Sequence, residues 1–187
     1  SSHAINSKIL MIDSVSNIFL IGMMGSWKST VGKKLASSLD LQFIDTDDEI
    51  EEATEKTVAE IFKDRGEAHF REMETAYFVE KSQQPGLVIS TGGGIVVTEA
   101  NRIALKNNGI TIFLKASPET LSSRIKKTDK RPLLYGEDSL FRLSKIWKER
   151  QKFYEESAYL TVETDRLNPI QVLEIIIKKI EMENGAH

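Results

Sequence analysis

The sequence predicts an α/β domain in three layers, α/β/α, with helices covering both faces of a five-stranded parallel sheet. Three observations carry the prediction. Short apolar runs alternate five times with stretches of helical periodicity between Asn17 and Glu181. The first run, Asn17-Ile18-Phe19-Leu20-Ile21, leads through Gly22-Met23-Met24-Gly25-Ser26-Trp27-Lys28-Ser29-Thr30 into the helical pattern Val31-Gly32-Lys33-Lys34-Leu35-Ala36, the strand–loop–helix context of a phosphate-binding loop. No internal repeat, low-complexity tract or linker interrupts the alternation.

In such a loop the backbone N–H groups point inward and the helix behind them presents its positive dipole end. Lys28 is placed to reach the outer phosphates and the Ser29 hydroxyl to ligate magnesium. The pattern G-x-x-x-x-G-K-[S/T] fails at one position, where Trp27 stands in place of the last glycine. Glycine tolerates positive φ there, whereas a bulky residue driven to positive φ is strained. Trp27 is therefore expected to weaken nucleotide binding or alter its pose while leaving the chemistry in place.

After a helix over about 28–39, residues 41–47 read as a second strand ending in the carboxylates Asp45 and Asp47. Strand ends of a parallel sheet share one edge, which brings both carboxylates beside the loop. A helix follows over 48–53, its acidic first turn favoured by the helix dipole. Thr57-Val58-Ala59-Glu60 is a capping box, and a longer helix over about 67–82 carries Phe70, Met73, Tyr77 and Phe78 at helical spacing. One crossover helix would suffice between strands, so the segment of about 48–83 is expected to be a substrate-covering insertion.

Leu87-Val88-Ile89-Ser90 is the third strand and runs into Thr91-Gly92-Gly93-Gly94, three glycines that suit close backbone approach to a ligand. A helix over 98–108 stops at Gly109, and residues 111–115 form the fourth strand. Ser117 caps and Pro118 opens the next helix, to about 127. The aperiodic stretch 128–138, with Arg131-Pro132 and Gly136, reads as a lid. Then come a helix over 139–158 holding Arg150, a fifth strand over 160–164, and a last amphipathic helix begun by Asn168-Pro169.

A length of 187 residues fits one domain with a sizeable core, read here as residues 16–187, with 1–15 as a disordered or expression-derived segment and Met11 near the natural start. Without cysteine the chain uses no disulfide, thiolate chemistry or cysteine-bound zinc. A net charge of −3 and a short basic cluster without interleaved aromatics argue against nucleic acid. No apolar run approaches the roughly 20 residues of a membrane helix, so a cytoplasmic protein with no membrane partner is expected.

The ordered set Asp45-Thr46-Asp47, Phe70-Arg71-Glu72-Met73-Glu74, Gly92-Gly93-Gly94, Arg131-Pro132-Leu133-Leu134 and Arg150, added to the loop, resembles the shikimate kinase family over about residues 17–181. The resemblance implies a P-loop kinase fold with strand order 2-3-1-4-5 and transfer of the ATP γ-phosphoryl group to the 3-hydroxyl of shikimate, in aromatic amino-acid biosynthesis. It implies that Lys28, Asp47 and Arg131 are catalytic, with Asp47 the base. Gly22, Gly25, Ser26, Trp27, Lys28, Ser29 and Thr30 would hold the phosphates of ATP, Arg131 would close over them with the lid, and Arg124 and Arg166 would flank the adenine. Ser29 and Asp45 would hold Mg²⁺, and Asp47, Arg71, Gly92, Gly93, Gly94 and Arg150 would bind shikimate, the two arginines on its carboxylate.

Planar guanidinium groups pair bidentately with a carboxylate, and phosphoryl transfer asks mainly for positioning and charge neutralisation, so the cast is chemically sufficient. The expected partners are ATP and shikimate, with the chain acting as a monomer. Two other expectations are kept for comparison: a kinase for a gluconate-like polyol acid, and a homologue impaired by Trp27.

Overall fold

A computed structural model describes residues 17–128 and 139–184. The expected segment 1–15 and the lid from 129 onward, Arg131 included, lie outside the described residues.

The first strand, β1 (Asn17–Ile21), is buried at all five positions and lies at the centre of the sheet. It pairs in parallel with β3 (Leu87–Ser90) on one side and β4 (Gly109–Lys115) on the other. β2 (Gln42–Asp45) and β5 (Leu160–Glu163) close the edges, again in parallel, giving the order β2-β3-β1-β4-β5.

The helices, in order, are α1 (Lys28–Leu39), α2 (Thr46–Thr54), α3 (Val58–Arg65), α4 (Glu67–Ser82), α5 (Glu99–Asn108), α6 (Pro118–Thr128), α7 (Ser139–Ser157) and α8 (Pro169–Asn184). Among the described residues none is long and apolar enough to cross a membrane.

Alternation along β1 explains the three layers. Ile18 and Leu20 face one way, onto Val31 and Leu35 of α1 and Val172, Ile176 and Ile180 of α8. Phe19 and Ile21 face the other, onto Phe78 of α4, Leu105 of α5, Leu121 of α6 and Leu143 and Tyr154 of α7. A third, smaller cluster of Ile50, Ile61 and Phe70 joins α2, α3 and α4. At the lower edge Asn17 donates to the carbonyls of Ser82 (2.8 Å) and Gln84 (2.6 Å) and accepts from the Leu87 amide (2.9 Å), tying β1 to the α4–β3 turn.

Three local expectations are corrected. The second strand ends at Asp45, whose carboxylate accepts from the Asp48 amide at 3.1 Å and caps α2, so Asp47 belongs to a helical first turn. Gly109 ends the helix as expected, but it is extended, with φ 179°, and already opens β4, two residues before the expected start of that strand at 111. A Cβ there would lie 2.6 Å from the Asn17 carbonyl oxygen and 2.7 Å from the Phe19 ring, so close packing against β1 sets the requirement. The cap of α3 is shared: Thr57 accepts from the Glu60 amide at 3.1 Å, while the Val58 amide donates to Glu51 of α2 at 2.9 Å.

Candidate active site

The loop between β1 and α1 turns through Gly22 (φ 151°) and Gly25 (φ 83°), both at values that disfavour a side chain. α1 then starts with no side-chain cap, which leaves its first N–H groups to the loop interior. The Lys28 ammonium donates to the carbonyls of Gly22 (2.7 Å) and Met23 (3.0 Å) and lies folded over the loop. Ser26 is buried, Thr30 is exposed, and the Ser29 hydroxyl donates to Asp45 at 2.5 Å.

Trp27 adopts the left-handed conformation, φ 73° and ψ 21°, so the loop does not avoid the strain. A left-handed L-residue costs roughly 1–2 kcal/mol. The indole is partly buried against the α1/α8 side of the core, and the Arg124 guanidinium lies 3.4 Å over its ring centroid. A stack of this kind returns roughly 0.5–2 kcal/mol, enough to offset much of the strain. Arg124 also donates to the carbonyls of Gly25 (3.3 Å) and Thr164 (2.7 Å), clamping the loop to the end of β5.

In the next turn Arg166 is exposed, while Asp165 accepts from the Ser117 amide (2.9 Å) and the Thr120 hydroxyl (2.8 Å) at the start of α6. Burial pushes the Asp165 carboxyl up, but those hydrogen bonds outweigh it and hold the pKa below the usual range.

Beside the loop lies a cavity of about 490 Å³ lined by Asp47, Arg71, Gly92, Gly93, Gly94 and Arg150, together with Met24, Val58, Phe62, Phe70, Glu67 and Glu74. Met24 belongs to the phosphate loop, so the two regions share a wall. The chain thus gathers all six expected substrate residues from four separate segments. The two carboxylates at the end of the second strand lie apart: Asp45 turns to Ser29, while Asp47 lines the cavity.

Arg71 is held by Glu74 (3.0 Å) and Glu67 (3.3 Å) while its guanidinium faces the cavity. A Cβ at Gly94 would collide with that guanidinium, and one at Gly92 would lie 2.7 Å from Asp47 Oδ1 and 2.9 Å from Glu74 Oε2. Side-chain ends thus lie close to both glycines, and a Cβ at either would have to displace them. Two residues given no role from sequence support the site, Glu74 in the cavity wall and Tyr154 behind it. Glu74 is fully buried, three positions after Arg71, and Tyr154, four positions after Arg150, donates its hydroxyl to the Gly93 carbonyl. The helical spacing to each arginine was their available signal.

Burial raises the Glu74 pKa, more than the Arg71 cation and its hydrogen bond lower it, and the Asp47 charge adds to the rise. A carboxyl whose folded pKa is raised loses its stabilising contribution as pH climbs from the usual value of 4.5 through the folded value. Glu74→Gln is expected to flatten that decline, so that urea midpoints measured above pH 5 fall less steeply with pH than in the parent. An unchanged slope would show that Glu74 ionises as an ordinary carboxylate.

A profile of the shikimate kinase family matches residues 24–181. A shikimate kinase from Legionella pneumophila is 44% identical over 169 residues, 90% of this chain and 97% of that protein. The solved shikimate kinase from Acinetobacter baumannii in complex with shikimate superposes with a TM-score of 0.86 at 35% identity, covering 93% of this chain and 97% of that one. A gluconokinase from Sinorhizobium meliloti, at 14% identity and a TM-score of 0.57 over 89% of this chain and 92% of its own, shares the fold alone. With a match across most of its length, the chain belongs to the shikimate kinase family and is an ATP-dependent small-molecule kinase.

Proposed function

We propose that the chain transfers the γ-phosphoryl group of ATP to the 3-hydroxyl of shikimate, a step of aromatic amino-acid biosynthesis. The observation that carries the reading is the single cavity lined by Asp47, Arg71, Arg150 and the Gly92–Gly94 loop, with Met24 of the phosphate loop in its wall. Two guanidinium groups suit an anionic ring acid, and a carboxylate across from them suits its hydroxyls.

In this reading Arg71 and Arg150 grip the shikimate carboxylate and Asp47 orients the 3-hydroxyl. The substrate oxygen forms a bond to the γ-phosphorus as the bridge to the β-phosphate breaks, and the hydroxyl proton passes to Asp47. Lys28 leaves the loop carbonyls for the incoming phosphate oxygens, whose charge makes the stronger acceptor. The loop backbone and the uncapped start of α1 hold the phosphates, and Arg124 and Arg166 flank the base. Arg131, outside the described residues, is assigned to close over the phosphates.

The chemistry of the donors fits Mg²⁺. A hard cation that keeps several waters and takes one or two carboxylates plus substrate phosphates is suited by the adjacent Ser29 hydroxyl and Asp45 carboxylate, and needs no larger cluster. Among the described residues no group of three or more His, Cys, Asp or Glu gathers. When bound, the ion would neutralise charge on the β- and γ-phosphates.

The test is ADP release by the chain with Mg²⁺ across shikimate, gluconate and no acceptor. Release that depends on shikimate supports the assignment; release that follows gluconate, or ignores the acceptor, overturns it. A companion experiment addresses Trp27. Trp27→Gly relieves the left-handed strain and frees Arg124 from the stack, so the KM for ATP is expected to fall about three- to tenfold. The unfolding free energy is expected to move by less than about 1 kcal/mol, because lost stacking offsets relieved strain. Identical ATP kinetics in the two proteins would make the tryptophan neutral.

A further inference from the structure

We infer that Tyr154 is a positioning residue for the bound acid, setting both the Gly92–Gly94 loop and the Arg150 guanidinium through one hydroxyl group. The inference rests on the reading of Arg150 as a carboxylate grip.

Tyr154 is fully buried on α7, one helical turn after Arg150, and the i,i+4 spacing puts both side chains on one face. Its hydroxyl donates to the Gly93 carbonyl, and while burial raises the phenol pKa, the Arg150 charge beside it pulls it down. The single O–H goes to the carbonyl, so the phenol has only acceptor capacity left for the nearby Arg150 cation. Gly93 and Arg150 are also close to one another, since a Cβ on Gly93 would sit 3.7 Å from Arg150 Nη1. Both line the cavity, whereas the tyrosine does not.

The ring is held independently of these polar contacts. It stacks on Phe113 of β4, with centroids 5.0 Å apart and planes 11° apart, and on Trp147 of α7 at 6.3 Å and 17°. Phe113 is buried within β4, so the phenol is packed against the central sheet. A phenylalanine would fill the same space and keep both stacks. The hydroxyl therefore contributes beyond packing, fixing a loop and a long cationic side chain that would otherwise be ordered only when substrate arrives. Burial pushes the phenol up to about 12, so the neutral donor persists throughout the working pH range.

The test compares wild type, Tyr154→Phe and Val172→Ala, the last a core variant on the opposite face of the sheet. Shikimate affinity is measured by calorimetry, both KM values by steady-state kinetics, and stability by thermal melting. For Tyr154→Phe the shikimate Kd and KM are expected to rise about five- to tenfold with the KM for ATP within about twofold of wild type, the scale of one lost ordering contact. With shikimate methyl ester, which lacks the anionic carboxylate, the rise is expected to be smaller, because only the part acting through the loop remains. Val172→Ala is expected to lower the melting temperature without moving either KM.

Shikimate constants for Tyr154→Phe within twofold of wild type overturn the inference, as does an equal rise for the methyl ester or for ATP. Wild-type protein that neither binds nor phosphorylates shikimate overturns the functional reading and this inference with it, an outcome separate from an active wild type with an indifferent Tyr154→Phe.

Discussion

Asp47→Asn is expected to lower kcat for shikimate by about a thousandfold while changing its KM by no more than a few-fold, within the 10²–10⁴ range of a lost general base. Asparagine keeps the size of the side chain and can still hydrogen-bond an alcohol, but it cannot take the proton. Asp47 owes its place to α2, which starts one residue earlier because Asp45 caps it. From there the carboxylate reaches the cavity wall close to Gly92 and to Glu74 Oε2. The nearby negative charge raises the Glu74 pKa, so removing it relieves a repulsion and Asp47→Asn is not expected to unfold the protein. Steady-state kinetics with coupled ADP detection, alongside a melting curve, separates the two effects. A kcat within tenfold of the parent would remove Asp47 from the role of base.

The second large effect is expected from Arg71→Leu, which should raise the shikimate KM more than a hundredfold and destabilise the fold by about 3–5 kcal/mol, the usual consequence of stripping a buried charge of its partner. The destabilisation comes from Glu74, which is fully buried and whose ion pair with Arg71 spans 3.0 Å. Protonation of Glu74 limits the damage. Its folded pKa, already raised, rises further without the cation, so the loss of stability should deepen as pH increases above the usual carboxylate value. The double variant Arg71→Leu/Glu74→Gln should recover much of the stability and none of the affinity. Urea titrations at pH 5 and pH 8 with shikimate kinetics test both halves. Equal stability of the single variant at both pH values would contradict the assigned burial cost, and restored affinity in the double variant would take Arg71 out of the binding site.

Much of the fold was legible because its signals are local and repeated. The helix over 67–82 was readable from Phe70 and Phe78, which return to the core every two turns, and from Gly66, which the structure places at its start with φ 87°. The strand at Leu87–Ser90 was bounded by Pro85-Gly86 before it and the glycines after it. Ser117 and Pro118 announced α6, and the Thr120 amide does donate to the Ser117 hydroxyl at 3.2 Å. Site residues were nameable for a different reason: the order of motifs matched a family pattern, and no one motif would have distinguished a substrate arginine from a solvated one.

What escaped the sequence depends on groups far apart in the chain. The means by which Asp45 and Asp47 come to lie apart is a hydrogen bond from Ser29, sixteen residues away, together with the cap of α2. Gly109 is needed because β1 passes beneath it, Trp27 is tolerated in the left-handed region beside Arg124 and a core that packs its indole, and Tyr154 gains a purpose only when Gly93 lies against it.

By itself the amino-acid sequence determined the alternation of elements and the layered class, since periodicity, caps and glycine punctuation act over a few neighbouring residues. Only the tertiary structure decided that Asp45 caps α2 while bonded to Ser29, which glycines are sterically obligatory and which aromatic hydroxyl touches the loop. Those outcomes turn on approach distances of a few ångströms between segments separated by up to about ninety residues, as Gly109 is from Asn17, and the packing of the sheet against its helices sets them.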